Sequence, residues 1–153
     1  MLLQDKVTGV TNLKHNCKKD NANASVTLAE LAQGAACCEP PHPATAALFC
    51  EAMYYLACEG SAACDKIASA GGIPVIVQLL ARLPDEEQVV WQGCSALREL
   101  AGYGSASIKS LILAQPDFIA LLRAASPRLQ AWGRSDRAAQ ALTRLGVLSL
   151  CYK

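Results

Sequence analysis

The stretch from Ser69 to Leu80, SAGGIPVIVQLL, places two glycines and a proline directly before the most apolar run of the chain. Gly71 and Gly72 can end a helix, because glycine adopts left-handed backbone conformations and permits close backbone contact. Pro74 suits the first turn of a following helix, where its missing N–H is no loss. The stretch therefore predicts a sharp corner between two packed helices.

The composition of the whole chain favours helices. The 153 residues are 52% hydrophobic but only 5% aromatic. Alanine and leucine, which are both good helix formers, supply most of the other hydrophobic residues. The length fits one domain or a short repeat array and is enough to bury a core. Because a β-sandwich or barrel would contain more β-branched and aromatic residues, we expect an all-α protein.

Turn and cap residues divide the chain into successive helices. We expect residues 1–20 to be a flexible N-terminal segment and residues 21–150 to form the folded domain. Ser61, Asp85 and Ser135 are predicted N-caps, and Ser126 with Pro127 is predicted to end a helix. The predicted helices begin at residue 21 and then span about 44–60, 62–70, 74–83, 86–102, 107–115, 116–126 and 135–150.

A short motif, small–Leu/Met–x–x–Leu, recurs along the chain. Its copies are Ala52-Met53-Leu56, Ala96-Leu97-Leu100 and Ala141-Leu142-Leu145, which are 44 and then 45 residues apart. The pair Leu79-Leu80 returns as Leu121-Leu122, 42 residues later. A three-helix unit of just over forty residues is typical of a helical solenoid, whereas tetratricopeptide and ankyrin units are shorter.

The segments IASAGGIPVIVQLL and EEQVVWQGCSALRELA resemble helix 1, the Gly-Gly turn, helix 2 and helix 3 of the armadillo repeat family. The resemblance is strongest over residues 44–126 and extends to about Leu150. The second copy of the corner, AQPDFIALL, lacks both glycines. The resemblance implies a right-handed α–α superhelix of about 2.5–3 repeats. Residues 21–38 fit either helix 2 of a preceding unit or an N-terminal cap.

The resemblance also implies a function. Third helices of armadillo proteins line a groove that binds partners in extended form, so we expect a non-catalytic interaction module or scaffold that binds a protein or peptide segment. Peptide-binding members carry an asparagine ladder, with a tryptophan one turn earlier. Here the asparagine positions hold Tyr55, Glu99 and Arg144, and the tryptophan positions hold Glu51, Ser95 and Gln140. We therefore do not expect an importin-alpha-like role in carrying basic targeting peptides.

Trp91 lies one turn before Ser95 on the same predicted helix. Side chains four positions apart share a helical face, so Trp91, Ser95 and Glu99 are expected to face outward. We hypothesise that Trp91 anchors a partner, because Trp, Tyr and Arg are enriched in binding hot spots; the alternative is a partly buried packing residue. The expected core positions are Val90, Cys94, Leu97 and Leu100. The predicted binding set is Glu51, Tyr55, Trp91, Ser95, Glu99, Gln140 and Arg144.

Charge and hydropathy argue against several other partners. The formal net charge of +1 gives no strong field for nucleic acid or an acidic membrane surface. No segment approaches the roughly 20 apolar residues of a membrane span, and MLLQDKVTGV does not resemble a secretory signal. Without such a signal, the eight cysteines favour buried thiols over disulfides. We expect a cytoplasmic or nuclear protein.

Metal and catalytic sites are not expected either. Cys37 and Cys38 are adjacent rather than in Cys-x-x-Cys spacing, so they cannot easily join His15, Cys17 and His42 around one ion. Both histidines fall in predicted loops, where they cannot easily activate a cysteine nucleophile. We interpret Cys50, Cys58, Cys64 and Cys94 as small core residues. We expect no cofactor, no metal and no small-molecule substrate. Two alternatives remain: a regulatory or adaptor domain of a larger enzyme assembly, ubiquitin-ligase-like or exchange-factor-like, and a small catalytic helical protein.

Overall fold

The computed structural model describes residues 32–34 and 40–147. Residues 32–34 are helical, and no strand occurs in either range. The all-α prediction is therefore confirmed for these residues, whereas the predictions for residues 1–31 and 35–39 lie outside the described part. Seven helices follow one another from residue 43: α1 Pro43–Ala57, α2 Ser61–Ser69, α3 Gly72–Arg82, α4 Glu87–Tyr103, α5 Ala106–Leu113, α6 Phe118–Ala131 and α7 Arg137–Arg144.

The corner predicted from the two glycines lies between α2 and α3, which are bent by 73° relative to each other. Gly71 has φ 75° and ψ 21°, in the left-handed region that favours glycine. Gly72 begins α3, and a Cβ atom there would lie 2.8 Å from Cγ2 of Ile67 and 3.1 Å from its carbonyl oxygen. Gly71 is thus needed for its backbone conformation and Gly72 for close packing.

A second corner, between α5 and α6, forms without glycine. Asp117 has φ 55° and ψ 12°, nearly the conformation of Gly71. It is the one non-glycine residue with positive φ in the described ranges. Aspartate is among the few side chains that enter this region with limited strain. The loss of both glycines from the second copy has therefore not removed the turn.

Helices α1, α4 and α7 lie side by side, with α4 between the other two; among the described helices, α1 and α7 do not touch. We call these helices the three-helix row. Glu87 at the start of α4 contacts Arg134, which precedes α7, and Glu99 near the end of α4 contacts Arg144 at the end of α7. Helices α4 and α7 therefore run in the same direction. In addition α2 contacts α5 and α3 contacts α6. Helices α1, α2, α3 and α4 therefore each contact the helix three places later in the chain.

The repeated apolar positions form one continuous core. Met53, Leu97 and Leu142, the central residues of the three motif copies, are at most 2% exposed. The positions predicted to face the core from α4 are confirmed as buried; they are Val90, Cys94, Leu97 and Leu100. Taken singly, none of the helices in residues 43–144 has the length and apolar character to cross a bilayer, whereas the bent pair α2–α3 meets both criteria together.

The predicted end of α6 is wrong. Ser126 and Pro127 do not end α6, which continues to Ala131 with Pro127 inside it. Proline weakens a helix by removing one N–H donor and crowding the preceding turn. Here the exposed Pro127 is followed by Leu129, which is fully buried and holds the last turn on the core. The helix ends where Gly133, at φ 69°, lets the N–H of Arg134 donate to the carbonyl of Leu129.

Three predicted caps also differ from the structure. Ser61 is the first residue of α2 rather than its cap, and Asp85 precedes Glu86, which caps α4 without a side-chain hydrogen bond. Asp136, not Ser135, caps α7, because its carboxylate accepts from the Ala139 N–H at 2.9 Å. The helix predicted over 135–150 ends at Arg144. Its predicted last residues, 148–150, lie outside the described part.

Candidate functional site

Trp91 connects α4 to the segment that enters α7. Its indole Nε1–H donates to Oγ of Ser135 at 3.4 Å. The guanidinium carbons of Arg134 and Arg137 lie 5.2 Å and 5.8 Å from the centre of a Trp91 ring, within cation–π range. Trp91 is half-buried and packs against the core. It is therefore a packing residue with part of its surface accessible, as the alternative interpretation held.

The prediction that Ser95 and Glu99 face outward is wrong, because these residues are only 1% and 4% exposed. The Ser95 hydroxyl donates to the carbonyl oxygen of Trp91 at 2.8 Å, within its own helix. Helices α1 and α7 flank α4 on both sides. The spacing of four correctly places these residues on one face, but that face is covered by neighbours from distant parts of the chain.

Glu99 is the centre of an ion-pair network that joins α4 to α7. Its carboxylate pairs with Arg98 and, at 3.3 Å, with Nη1 of Arg144. The same Nη1 of Arg144 donates to the carbonyl oxygen of Arg98 at 3.0 Å. The structure thus brings the predicted residues Glu99 and Arg144 together, but as partners of each other. Removing the carboxylate would leave two arginines without their counter-charge.

Two arginines converge on the neutral amide oxygen of Gln140. Nη1 of Arg98 donates to this oxygen at 2.9 Å and Nη1 of Arg137 at 3.4 Å. The Nε atoms of both arginines are buried and have no hydrogen-bond partner among the described residues. Arg98, Arg134 and Arg137 are not among the binding residues predicted from the sequence. The repeat spacing contains the signal for the last two, since a step of 44 residues from Trp91 reaches Ser135, between them.

Helix α1 contributes Tyr55, which is 53% exposed, and Glu51, which is half-buried. The neighbouring Tyr54 is half-buried on the same helix. Burial, then the Cys58 thiol and then the Glu99 carboxylate raise the pKa of Tyr54. Trp91 and Glu99 are eight positions apart on α4, about 12 Å along the axis. They therefore lie toward opposite ends of α4 and do not form one compact site.

The described cysteines are unbridged. Cys50, Cys64 and Cys94 are buried as predicted. Cys58 is exposed because it lies at the C-terminal cap of α1. The interpretation of Cys58 as a core residue is therefore wrong. Burial raises the pKa of Cys50 to about 12 and that of Cys64 to about 11, and it raises the pKa of Cys94 further. Such thiols are poor nucleophiles at neutral pH.

No cluster of three or more His, Cys, Asp or Glu side chains within residues 32–34 and 40–147 is arranged to hold a metal ion. Of the candidate ligands considered in the sequence, His42 is described and exposed. The other four, His15, Cys17, Cys37 and Cys38, lie outside the described residues.

An open groove of about 360 Å³ lies where the end of α4 meets α5 and α7. Its lining includes Tyr103, Lys109 and Arg144. Tyr103 is 51% exposed. Arg144 crosses α4 next to Gly102, where an added Cβ atom would lie 2.5 Å from Nη1 of Arg144. The absence of a side chain at Gly102 thus lets Arg144 reach both Glu99 and the groove.

The chain matches no protein-family model, no curated protein and no solved structure.

Proposed function

We propose that this chain is an armadillo-type helical repeat module that binds a protein segment across the three-helix row. The observation that carries the proposal is the contact pattern of the helices: α1–α4, α4–α7, α2–α5 and α3–α6 all pack together. Stacked repeats produce this pattern, because each unit contacts its neighbour through equivalent elements. The right-handed superhelix of about 2.5–3 repeats belongs to the same proposal.

The accessible members of the row are the proposed contact residues. Tyr55, Gln140 and Arg144 are exposed, and Trp91 is half-buried with polar contacts at its edge. Aromatic and arginine side chains supply much of the energy in protein interfaces. Ser95 and Glu99 are buried and would contribute indirectly. The Ser95 hydroxyl forms a hydrogen bond within α4, and the Glu99 carboxylate holds Arg144 in place. Glu51 lies half-buried one turn before Tyr55.

A non-catalytic role is part of the proposal. The buried groups near the row that could take part in acid–base or nucleophilic chemistry are engaged in structure. Glu99 is held in ion pairs with two arginines. Burial keeps the Cys50 and Cys94 thiols protonated by raising their pKa. This arrangement supports a surface that binds a partner and does not transform it.

Peptide selection followed by mapping tests the proposal. A displayed library of random twelve-residue peptides is selected against the full chain, and amide hydrogen exchange is measured with and without the selected peptide. We expect slower exchange in α1, α4 and α7, because a segment that crosses the row covers all three helices. Protection confined to α2, α3, α5 or α6, or a library that yields no binder, would contradict the proposal.

A pair of matched variants sharpens this test. Tyr55 and Leu113 are both large exposed apolar side chains, at 53% and 39%, but only Tyr55 lies on the row. Tyr55→Ala should weaken peptide binding about fivefold or more, the effect of losing a moderate hot spot. Leu113→Ala should leave the affinity unchanged. Trp91→Ala is a poorer probe, because Trp91 also packs on the core and its loss should lower stability as well as affinity.

A further inference from the structure

We infer that the segment bound by the three-helix row is acidic, and that one of its carboxylates binds between Arg98 and Arg137 in place of the Gln140 amide oxygen. This inference deepens the proposed function and rests on it. The peptide's other contacts along the row follow from the proposal above. The new element is the charge of the partner and the location of its anchoring group.

The geometry around Gln140 is that of an anion site filled by a neutral group. Two guanidinium groups donate to one amide oxygen, at 2.9 Å and 3.4 Å. The buried Nε–H groups of the same two arginines have no acceptor within residues 32–34 and 40–147. A carboxylate has two oxygens and can accept from a guanidinium through two parallel hydrogen bonds. It would satisfy donors that one amide oxygen leaves unpaired.

The Glu99 and Glu87 carboxylates of α4 are already engaged in ion pairs. Glu99 pairs with Arg98 and Arg144, and Glu87 pairs with Arg134 through an Nε–Oε1 distance of 2.5 Å. Within residues 32–34 and 40–147, Arg137 has no ion-pair partner. The guanidinium of Arg137 is therefore the cation that a partner's carboxylate would neutralise.

Asp136, the immediate neighbour of Arg137, is also occupied. Its Oδ1 accepts from the Ala139 N–H, and its Oδ2 accepts from Ser126 at 2.5 Å and from Gln130 at 2.9 Å. Asp136 is the only acidic residue between positions 118 and 147, where the sequence has five arginines. Arg128, Arg134 and Arg144 pair with Asp85, Glu87 and Glu99 from other parts of the chain. Arg123 and Arg137 are then the two arginines of this stretch that have no ion pair with the described residues, and such charges attract an acidic segment and raise its association rate.

Trp91 holds the arginines in position for this contact. The guanidinium carbons of Arg134 and Arg137 lie 5.2 Å and 5.8 Å from the ring centre. Cation–π contact limits the freedom of both side chains, so less entropy is lost when an anion binds. Gln140 is exposed, so its amide can turn toward solvent and leave the acceptor position to the incoming carboxylate.

A peptide suits the row better than a nucleic acid does. Nucleic-acid binding depends on many phosphate contacts, and the net charge of the chain is only +1. The row combines Arg137, which has no ion pair with the described residues, with the exposed Tyr55 and the half-buried Trp91. This combination fits a segment that has acidic and apolar side chains. A nucleic acid is included in the test as the competing outcome.

The test uses fluorescence anisotropy with a labelled twelve-residue peptide in which glutamate and leucine alternate. A peptide with glutamine in place of glutamate should bind about tenfold more weakly or worse, because the charge-assisted hydrogen bonds are lost. Arg137→Gln should weaken binding of the glutamate peptide about fivefold or more, and Arg137→Lys should give an intermediate loss, because lysine keeps the charge without the planar fork.

Arg123→Gln is the matched control, because it removes one positive charge from an exposed position on α6 that makes no ion pair with the described residues. It should change the affinity less than about twofold. Equal losses in Arg123→Gln and Arg137→Gln would show a non-specific charge effect and overturn the inference, as would equal binding of the glutamine peptide. Circular dichroism confirms that each variant is folded.

Binding measurements with other ligands distinguish failure of this inference from failure of the proposed function. A phosphoserine peptide that binds more tightly would support an anionic peptide and identify phosphate as the preferred group. Stronger binding of a single-stranded oligonucleotide, lost in Arg137→Gln, would overturn the choice of a peptide. If selected neutral peptides protect the three-helix row while the glutamate peptide does not bind, the proposed function stands and the acidic partner is wrong. If no peptide of either kind protects the row, both are wrong.

Discussion

Replacing Gly72 with alanine is expected to destabilise the corner between α2 and α3. A Cβ atom at this position would lie 2.8 Å from Cγ2 and 3.1 Å from the carbonyl oxygen of Ile67, and 3.5 Å from Sδ of Met53. Ile67 and Met53 are fully buried, so neither can move into solvent. The first contact is shorter than carbon atoms tolerate, and the second involves the backbone, which moves less readily than a side chain.

The magnitude follows from two opposing effects. Inserting a methyl group into a well-packed core costs about 1–3 kcal/mol. Alanine is favoured over glycine in a helix by up to about 1 kcal/mol, although less at the first helical residue. The free energy of unfolding should therefore fall by about 1–2 kcal/mol, whereas Gln78→Ala, an exposed change on the same helix, should alter it by less than about 0.5 kcal/mol.

Urea unfolding followed by circular dichroism measures this difference. A double-mutant cycle with Ile67→Ala identifies its cause, because that change removes the Cγ2 atom in question. The double variant should be at least about 0.5 kcal/mol more stable than the sum of the two single effects predicts. If Gly72→Ala leaves the stability unchanged or raises it, or if the two changes are additive, the close contact at the corner is not as described.

The remaining predictions concern the second corner, the ion-pair network and the buried thiols. Asp117→Gly should raise the free energy of unfolding by about 0.5 kcal/mol in urea, because relief of left-handed strain exceeds the added freedom of the unfolded chain; a loss of stability would contradict this. Glu99→Gln should lower it by about 1–3 kcal/mol, less than a fully buried pair costs, since Arg144 is 40% exposed; no loss would show that the network contributes nothing. Cys50 and Cys64 have native pKa values of about 12 and 11 against 9.0 for a free thiol, so the native protein keeps protons that the unfolded chain releases. The free energy of unfolding should therefore fall as pH rises from 9 toward 12, and less steeply in Cys50→Ala.

Local signals in the sequence were enough to predict much of the fold. Gly71, Gly72 and Pro74 specify a stop and a restart within a few residues, because each has a backbone preference that its neighbours do not alter. The spacing of apolar residues on α4 correctly identified the buried positions Val90, Cys94, Leu97 and Leu100. These predictions concern chemistry that is decided within one helix or one turn.

The predictions that failed depend on contacts between distant segments. Ser95 and Glu99 have the right spacing for an outward face, but α1 and α7 flank that face. Pro127 has the right chemistry to end α6, but burial of Leu129 extends the helix by a further turn. The arginine cluster could not be predicted from any one helix, since Arg98 and Arg137 meet only through Gln140 on α7.

The most direct test of the binding surface between α4 and α7 is the proton–nitrogen NMR spectrum of the two tryptophan indoles during titration with the glutamate–leucine peptide. A Trp132→Phe variant assigns the Trp91 signal. We predict that this signal shifts progressively with the glutamate peptide, because the Trp91 ring lies against Arg134 and Arg137, and that the same shift needs at least about tenfold more of the glutamine peptide. A Trp91 signal that does not move while anisotropy shows the peptide to be bound would contradict the account.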